Sequence, residues 1–200
     1  MYNILMQPQT FVFFGPSGCG KGTQAKFLID YLEKNDPEKK VFYMETGKKL
    51  REFAADTSFS AKLTKEIMDN GGLMPEFMPI WIWAQFMIDN ISGNEHVVFD
   101  GICRRVAEAP ILDSAIKFYR RENPTIISIE LSREAARLRL LNRGRGDDNE
   151  ADIKNRLEWY DTNVGPAINY FRDNPYYKFI SINGEQTIEE VHQDILKKVL

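Results

Sequence analysis

Five short runs of aromatic and β-branched residues punctuate the chain: TFVFF at 10–14, VFYME at 41–45, HVVFD at 96–100, TIISIEL at 125–131 and YKFISIN at 177–183. Between them apolar residues recur at helical spacing, as at Phe27, Leu28, Tyr31 and Leu32, and later at Leu138 and Leu141. Strand alternating with helix predicts an α/β fold, a parallel sheet covered on both faces. Two interruptions are longer than the rest. At 46–94 at least two helix-like stretches follow the second strand, and at 142–149 the run NRGRGDDN is too polar for a core. Both are candidate moving parts, and Gly71-Gly72 reads as a helix stop or hinge. In MPIWIWAQFMIDN the residues Trp81, Trp83, Phe86 and Met87 stand at helical spacings and are expected to pack in the core or at a hinge. No repeat, low-complexity tract or Pro-rich linker interrupts this pattern.

With 200 residues, 43% of them hydrophobic, the chain can bury one substantial core with small excursions from it. A formal charge of −3 gives no general nucleic-acid surface, so any anion site is local. Cys19 and Cys103 are far apart and in no Cys/His spacing, which argues against a disulfide framework and a structural zinc and fits a reducing compartment. MYNILMQPQT lacks a basic segment and a long apolar segment, and no run of 18 apolar residues occurs; the expectation is a cytoplasmic protein with no membrane partner. His96 and His192 show no metal or catalytic pattern and are expected in surface or capping roles.

The chemistry begins at Gly15-Pro-Ser-Gly-Cys-Gly-Lys21, a GxxxxGK phosphate loop placed after a strand and before a helix. Its glycines let backbone N–H groups turn inward, the helix N-terminus adds positive potential, and Lys21 would reach the β- and γ-phosphates. Gly22 separates Lys21 from Thr23, a GKGT form that narrows the class. A phosphate loop alone leaves a GTPase, an ATP-driven regulator and a small-molecule kinase open. No N-K-x-D guanine motif is present. Arg139 and Arg143 share a predicted helix face, Arg145 and Arg156 flank the cluster Asp147-Asp148-Asn149-Glu150, and a second basic site holds Arg51 and Arg104. Guanidiniums at this density suit a phosphoryl group in transfer, and two basic clusters fit two sets of phosphates.

TGKKLR at 46–51, DNGGLMPE at 69–76, DGICRR at 100–105 and RLLNRGRGDDNEADIKNRLEWY at 139–160, in this order after the phosphate loop, resemble the nucleoside-monophosphate kinases, most closely the short-lid adenylate kinases. The resemblance implies a three-layer α/β/α fold on a five-stranded parallel sheet, with core segments 1–44, 76–141 and 150–200, a nucleotide-binding insert at 45–75 and a minimal lid loop at 142–149. It implies ATP/ADP and a nucleoside monophosphate, with AMP favoured, as partners, Mg²⁺ accompanying ATP, no zinc, and a monomer. By position, Gly18, Cys19, Gly20, Lys21, Gly22 and Thr23 would hold the ATP phosphates. Arg139 would stack on the ATP base, Arg143 would contact its phosphates, and a backbone carbonyl at Gln186 would touch the base. Thr46, Arg51, Gly72, Leu73, Met74, Gly101 and Arg104 would contact the monophosphate nucleotide. Arg145 and Arg156 would bridge donor and acceptor phosphates, and Asp100 would hold magnesium through water. The catalytic set so implied is Lys21, Arg104, Arg143, Arg145 and Arg156.

Three departures from the family pattern carry expectations of their own. Glu108 falls where adenylate kinases usually carry Gln. A carboxylate cannot donate to adenine N1, but it suits the N1–H and N2–H₂ edge of guanine, so GMP stands as an alternative acceptor, with UMP or CMP behind it. The plainer role for Glu108 is an acid in the first turn of a helix. Only Gly144, Arg145 and Gly146 separate Arg143 from Asp147, so the lid is too short for a separate domain and predicts some hydrolysis of ATP without acceptor. In DGICRR, Ile102 and Cys103 replace the usual Phe-Pro, which predicts a less rigid support for Arg104. Both cysteines are expected as small packing residues rather than nucleophiles; a reactive Cys19 is the alternative, since a helix N-terminus lowers a thiol pKa.

Overall fold

The computed structural model describes residues 7–146 and 148–199. The first six residues, MYNILM, and Asp147 of the acidic cluster lie outside the described residues. β1 (Thr10–Phe14) leads into α1 (Lys21–Asn35); β2 (Val41–Glu45) leads into α2 (Thr46–Ala54), α3 (Phe59–Asp69) and α4 (Phe77–Asn90), which returns to β3 (His96–Asp100). α5 (Glu108–Phe118), β4 (Thr125–Glu130) and α6 (Arg133–Arg143) follow. α7 (Glu150–Trp159) passes through a π-helical turn, Tyr160–Val164, into α8 (Gly165–Arg172), and β5 (Lys178–Asn183) and α9 (Ile188–Val199) complete the order.

The five strands run parallel in the order β2-β3-β1-β4-β5. β1 is buried along its whole length because both faces are covered. Val12 and Phe14 point into one apolar cluster, with Val97, Phe99 and Ile126 from the sheet and Trp83, Met87, Leu112, Ile116 and Phe171 from the helices. Phe11 and Phe13 point into the other, with Val98, Ile127, Ile129 and Ile182 and with Leu28, Leu32, Val191 and Ile195. This two-sided burial is why the strands read as continuous apolar runs rather than alternating ones. Trp83 and Met87 are core as expected, whereas Trp81 is half exposed, its ring edge-on to Phe53 at 5.6 Å.

The opposite end of the sheet is tied by a buried polar network. Arg121 donates from Nε to Thr10 Oγ1 at 2.7 Å and from Nη2 to the backbone oxygens of Gln9 (2.9 Å) and Glu95 (2.6 Å), and pairs with the Glu95 carboxylate at 3.3 Å. His96 belongs to this end and corrects the surface expectation: it is fully buried, Nδ1 accepts from the Gln9 N–H at 3.1 Å, and Nε2 lies 3.2 Å from Asp36 Oδ2. Burial lowers its pKa, so it packs as a neutral ring that the β-branched and aromatic pattern of the strand concealed. His192 stands edge-on to Phe27 at 5.2 Å.

Because the chain passes from β1 to β2 and only later inserts β3 between them, the crossover direction reverses beside β1. The carboxyl ends of β1 and β3 therefore open onto a crevice, where open α/β sheets bind ligands.

Candidate active site

The floor of the crevice is the loop after β1. Gly15 and Gly18 adopt φ of +145° and +86°, and a Cβ on Gly18 would lie 2.9 Å from the Ala136 carbonyl oxygen. The loop can thus press against α6 only as glycine. No side chain caps the start of α1, so its first-turn N–H groups and Lys21 face the crevice together. Lys21 Nζ donates to the carbonyls of Gly15 (2.8 Å) and Pro16 (3.0 Å). Cys19 is turned inward instead, beneath the loop, where burial pushes its thiol upward despite the opposing influence of Lys21. Desolvation here outweighs the helix terminus, which argues against the alternative of a reactive Cys19. Burial likewise holds Cys103 well above the ordinary thiol range.

Asp100 ends β3 beside the loop, and a Cβ on Gly22 would lie 3.3 Å from its Oδ2. Tyr43 donates its hydroxyl to that oxygen at 3.1 Å. Burial raises the Asp100 pKa and the Lys21 charge opposes it, the behaviour of a carboxylate that lacks a full cationic partner. Among the described residues no three His, Cys, Asp or Glu side chains converge to chelate a metal directly. A carboxylate beside the phosphate loop fits Mg²⁺ that arrives on nucleotide phosphates.

One wall comes from α2 to α4. α3 ends in a Schellman turn: Gly71, at φ +62°, donates to Met68 O at 3.0 Å and Gly72 to Ile67 O at 2.9 Å, so Gly71-Gly72 is a helix stop. Leu73 and Met74 then line the crevice, fastened by Arg105, whose Nη2 and Nε donate to their carbonyls at 3.3 and 3.2 Å. Arg51 pairs with Glu45 at 2.8 Å. A Cβ on Gly47 would lie 3.2 Å from Arg51, 3.7 Å from Arg104 and 3.8 Å from Glu45, so these three groups surround one small space. Arg104 donates from Nε to Gly101 O at 2.9 Å, stacks over Trp159 at 5.7 Å, and its N–H bonds Glu108 Oε1 at 3.2 Å. These contacts fix the guanidinium where no proline does, with Cys103 at φ +54° turning the strap.

The opposite wall is the arginine group. Arg139 donates to Gly184 O at 2.8 Å. Arg143 grips Asp148 with two bonds, Nε at 2.8 Å and Nη2 at 2.7 Å; Arg156 Nη2 reaches the same carboxylate at 2.9 Å, and the Arg145 N–H at 3.0 Å. The hydrogen bonds from Arg143 and Arg156 outweigh desolvation and hold Asp148 well below the usual carboxylate range.

A single cleft of about 440 Å³ joins these walls. Of the sequence-derived residues, Gly18, Gly20, Lys21, Gly22, Thr23, Thr46, Arg51, Gly72, Leu73, Met74, Asp100, Arg104, Glu108, Arg139, Arg143, Arg145 and Arg156 line it. Cys19 does not, Gly101 lines a small side cavity, and Gln186 lies outside, donating to Asn183 O and to Asp194 at 2.9 and 3.0 Å. Sequence reasoning missed Tyr43, Glu45 and Trp159, because ordinary strand and helix residues reveal a site role only once their neighbours are known.

The same ordered set of loop, strap and arginines places the chain among known proteins. The adenylate kinase family model matches residues 13–176. The adenylate kinase of Leptospira biflexa is 32% identical over 192 residues, covering 94% of this chain and 98% of its own length. That of Bacteroides fragilis is 31% identical over 192 residues (94% and 96%), and adenylate kinase 1 of Nostoc sp. is 28% identical over 184 residues (92% and 95%). With matches of this extent to a cleft of this composition, the chain belongs to the adenylate kinase family.

Proposed function

We propose that the protein transfers the γ-phosphoryl group of ATP reversibly to AMP, giving two molecules of ADP, and that it does so as a monomer. The observation that carries this reading is the single cleft in which one phosphate loop faces two separate arginine groups, all from one chain. Lys21 and the backbone from Gly18 to Thr23 hold the donor phosphates, Arg139 covers the donor base, and Arg51 and Arg104 hold the acceptor phosphate. Arg143, Arg145 and Arg156 neutralise the charge that spreads over the phosphoryl group as the acceptor oxygen attacks in line. Mg²⁺ arriving with ATP would supply charge neutralisation at the donor phosphates. Asp100, oriented by Tyr43, is the residue that would hold it. No covalent enzyme intermediate is needed.

Segments 45–75 and 142–149 close over the nucleotides and exclude water, without which ATP would hydrolyse. The test is coupled transfer from Mg·ATP to AMP, GMP, CMP and UMP in parallel, with a control lacking acceptor. Preferred transfer to AMP over a low background supports the reading. ATP hydrolysis that no monophosphate accelerates overturns it in favour of a P-loop ATPase.

A further inference from the structure

Two polar atoms of residues on the acceptor side of the cleft are buried without a protein partner: Thr46 Oγ1 and Glu108 Oε2. Thr46 and Glu108, 0% and 1% exposed, line the cleft itself. Burying a polar atom without a partner is costly, so two at one wall point to a polar ligand that completes them. A hydroxyl rotates to donate or accept, so Thr46 satisfies either kind of base edge. Glu108 cannot do so in one protonation state, and discrimination falls to it.

We propose that Glu108 selects the acceptor base through its own protonation: as a neutral acid it reads adenine, and as a carboxylate it reads guanine. This rests on the nucleoside-monophosphate acceptor proposed above. The neutral acid carries one O–H donor beside a carbonyl acceptor, the same complement as a primary amide, which matches adenine N1 and the exocyclic amine. The carboxylate offers only acceptors, which match guanine N1–H and N2–H₂.

The surroundings allow both states. Oε1 accepts one hydrogen bond, from the Arg104 N–H at 3.2 Å, and keeps a second lone pair for the base; Oε2 is the unbonded oxygen. The charged and titratable neighbours are Arg104, Arg105 and the Cys103 thiol on the strap. Beyond them stand Glu76, paired with Arg105 at 3.7 Å, and Asp100, Glu45 and Arg51, which act on Arg104. Burial pushes the Glu108 carboxyl up to about 7, against the two arginines and their backbone N–H groups. The acid therefore titrates where the enzyme is assayed. The net two positive charges of Arg104 and Arg105 do not hold it ionised, because neither guanidinium hydrogen-bonds it directly.

The test compares kcat/KM for AMP and GMP from pH 6 to pH 8.5 in the wild type and in Glu108→Gln. Their ratio cancels titrations common to both reactions, including those of the acceptor phosphate and of ATP. In the wild type the AMP:GMP ratio should fall roughly 300-fold across this range, since it follows the ratio of neutral acid to carboxylate, which falls about tenfold per pH unit. Glu108→Gln should hold the ratio high and flat, because an amide does not titrate. Calorimetry on the wild type gives a readout independent of the variant. AMP binding at pH 8 in buffers of different ionisation enthalpy should take up protons, and GMP binding should take up fewer. A flat wild-type ratio, or AMP binding without proton uptake, overturns the proposal while leaving AMP phosphorylation intact. Absence of transfer to every monophosphate overturns both.

Discussion

Replacing Asp148 by Asn tests whether an internal carboxylate sets the positions of the arginines. Asp148 accepts four hydrogen bonds, two from Arg143, one from Arg156 and one from the Arg145 N–H, and its side chain is wholly buried. Asn supplies one acceptor oxygen in place of two and no charge, and its NH₂ would face a guanidinium. Breaking a buried ion pair costs about 3–5 kcal/mol. The Arg143 side chain, however, remains 32% exposed and recovers hydration, so about 2–3 kcal/mol is expected here. For a chain of this length that lowers Tm by about 4–12 °C. A guanidinium displaced by about 1 Å costs on the order of 10²-fold in kcat.

The pH dependence gives a second handle. Asp148 is held below its ordinary pKa in the folded state, so the unfolded chain binds more protons as pH falls. Its stabilisation is therefore fully present above the ordinary carboxylate value of about 3.9 and is lost as pH drops through and below it. The Tm difference between wild type and Asp148→Asn, large at pH 7, should shrink progressively below pH 4. Calorimetry and a coupled ADP assay measure both quantities. A variant with Tm within 1 °C and kcat within twofold of wild type would refute the positioning argument.

Three further outcomes follow from the same geometry. Glu45→Gln, which frees Arg51 from its 2.8 Å pair, should lower the acceptor KM about twofold to fivefold, the range of an exposed pair; an unchanged or raised KM rejects competition by Glu45. Arg121→Ala, at the far end of the sheet, leaves the Glu95 carboxylate buried and unpaired and should cost about 3–5 kcal/mol in denaturant unfolding with both KM values unchanged; a KM effect would contradict its separation from the site. Cys19 should resist iodoacetamide at pH 8 in the native protein and react on unfolding, because its thiol is buried and its pKa raised; rapid native labelling would show that the loop opens.

The sheet was legible because parallel strands buried on both sides must be nearly all apolar, and five such runs between amphipathic stretches admit few arrangements. Their ends shift only slightly: the fourth strand stops at Glu130 rather than Leu131, and the fifth starts at Lys178 rather than Tyr177. The phosphate loop was legible because Gly15, Gly18 and Gly20 all require positive φ, a local demand that composition cannot hide. Gly71-Gly72 was legible as a helix stop for the same reason.

The side-chain partners were not legible, since each depends on elements far apart in sequence. His96 reads as a peripheral residue in a strand until Asp36 and Gln9 are brought to its ring. Trp159 reads as helix packing until Arg104 lies across it. The acidic cluster reads as a flank to the arginines, yet Asp148 is their common anchor. Glu108 shows the division most clearly. The sequence by itself determined that a carboxyl starts α5 next to the Arg104 strap. Only the tertiary structure decided that it is buried against the cleft with one oxygen unbonded, because desolvation is a property of everything packed around a group and not of its neighbours in the chain.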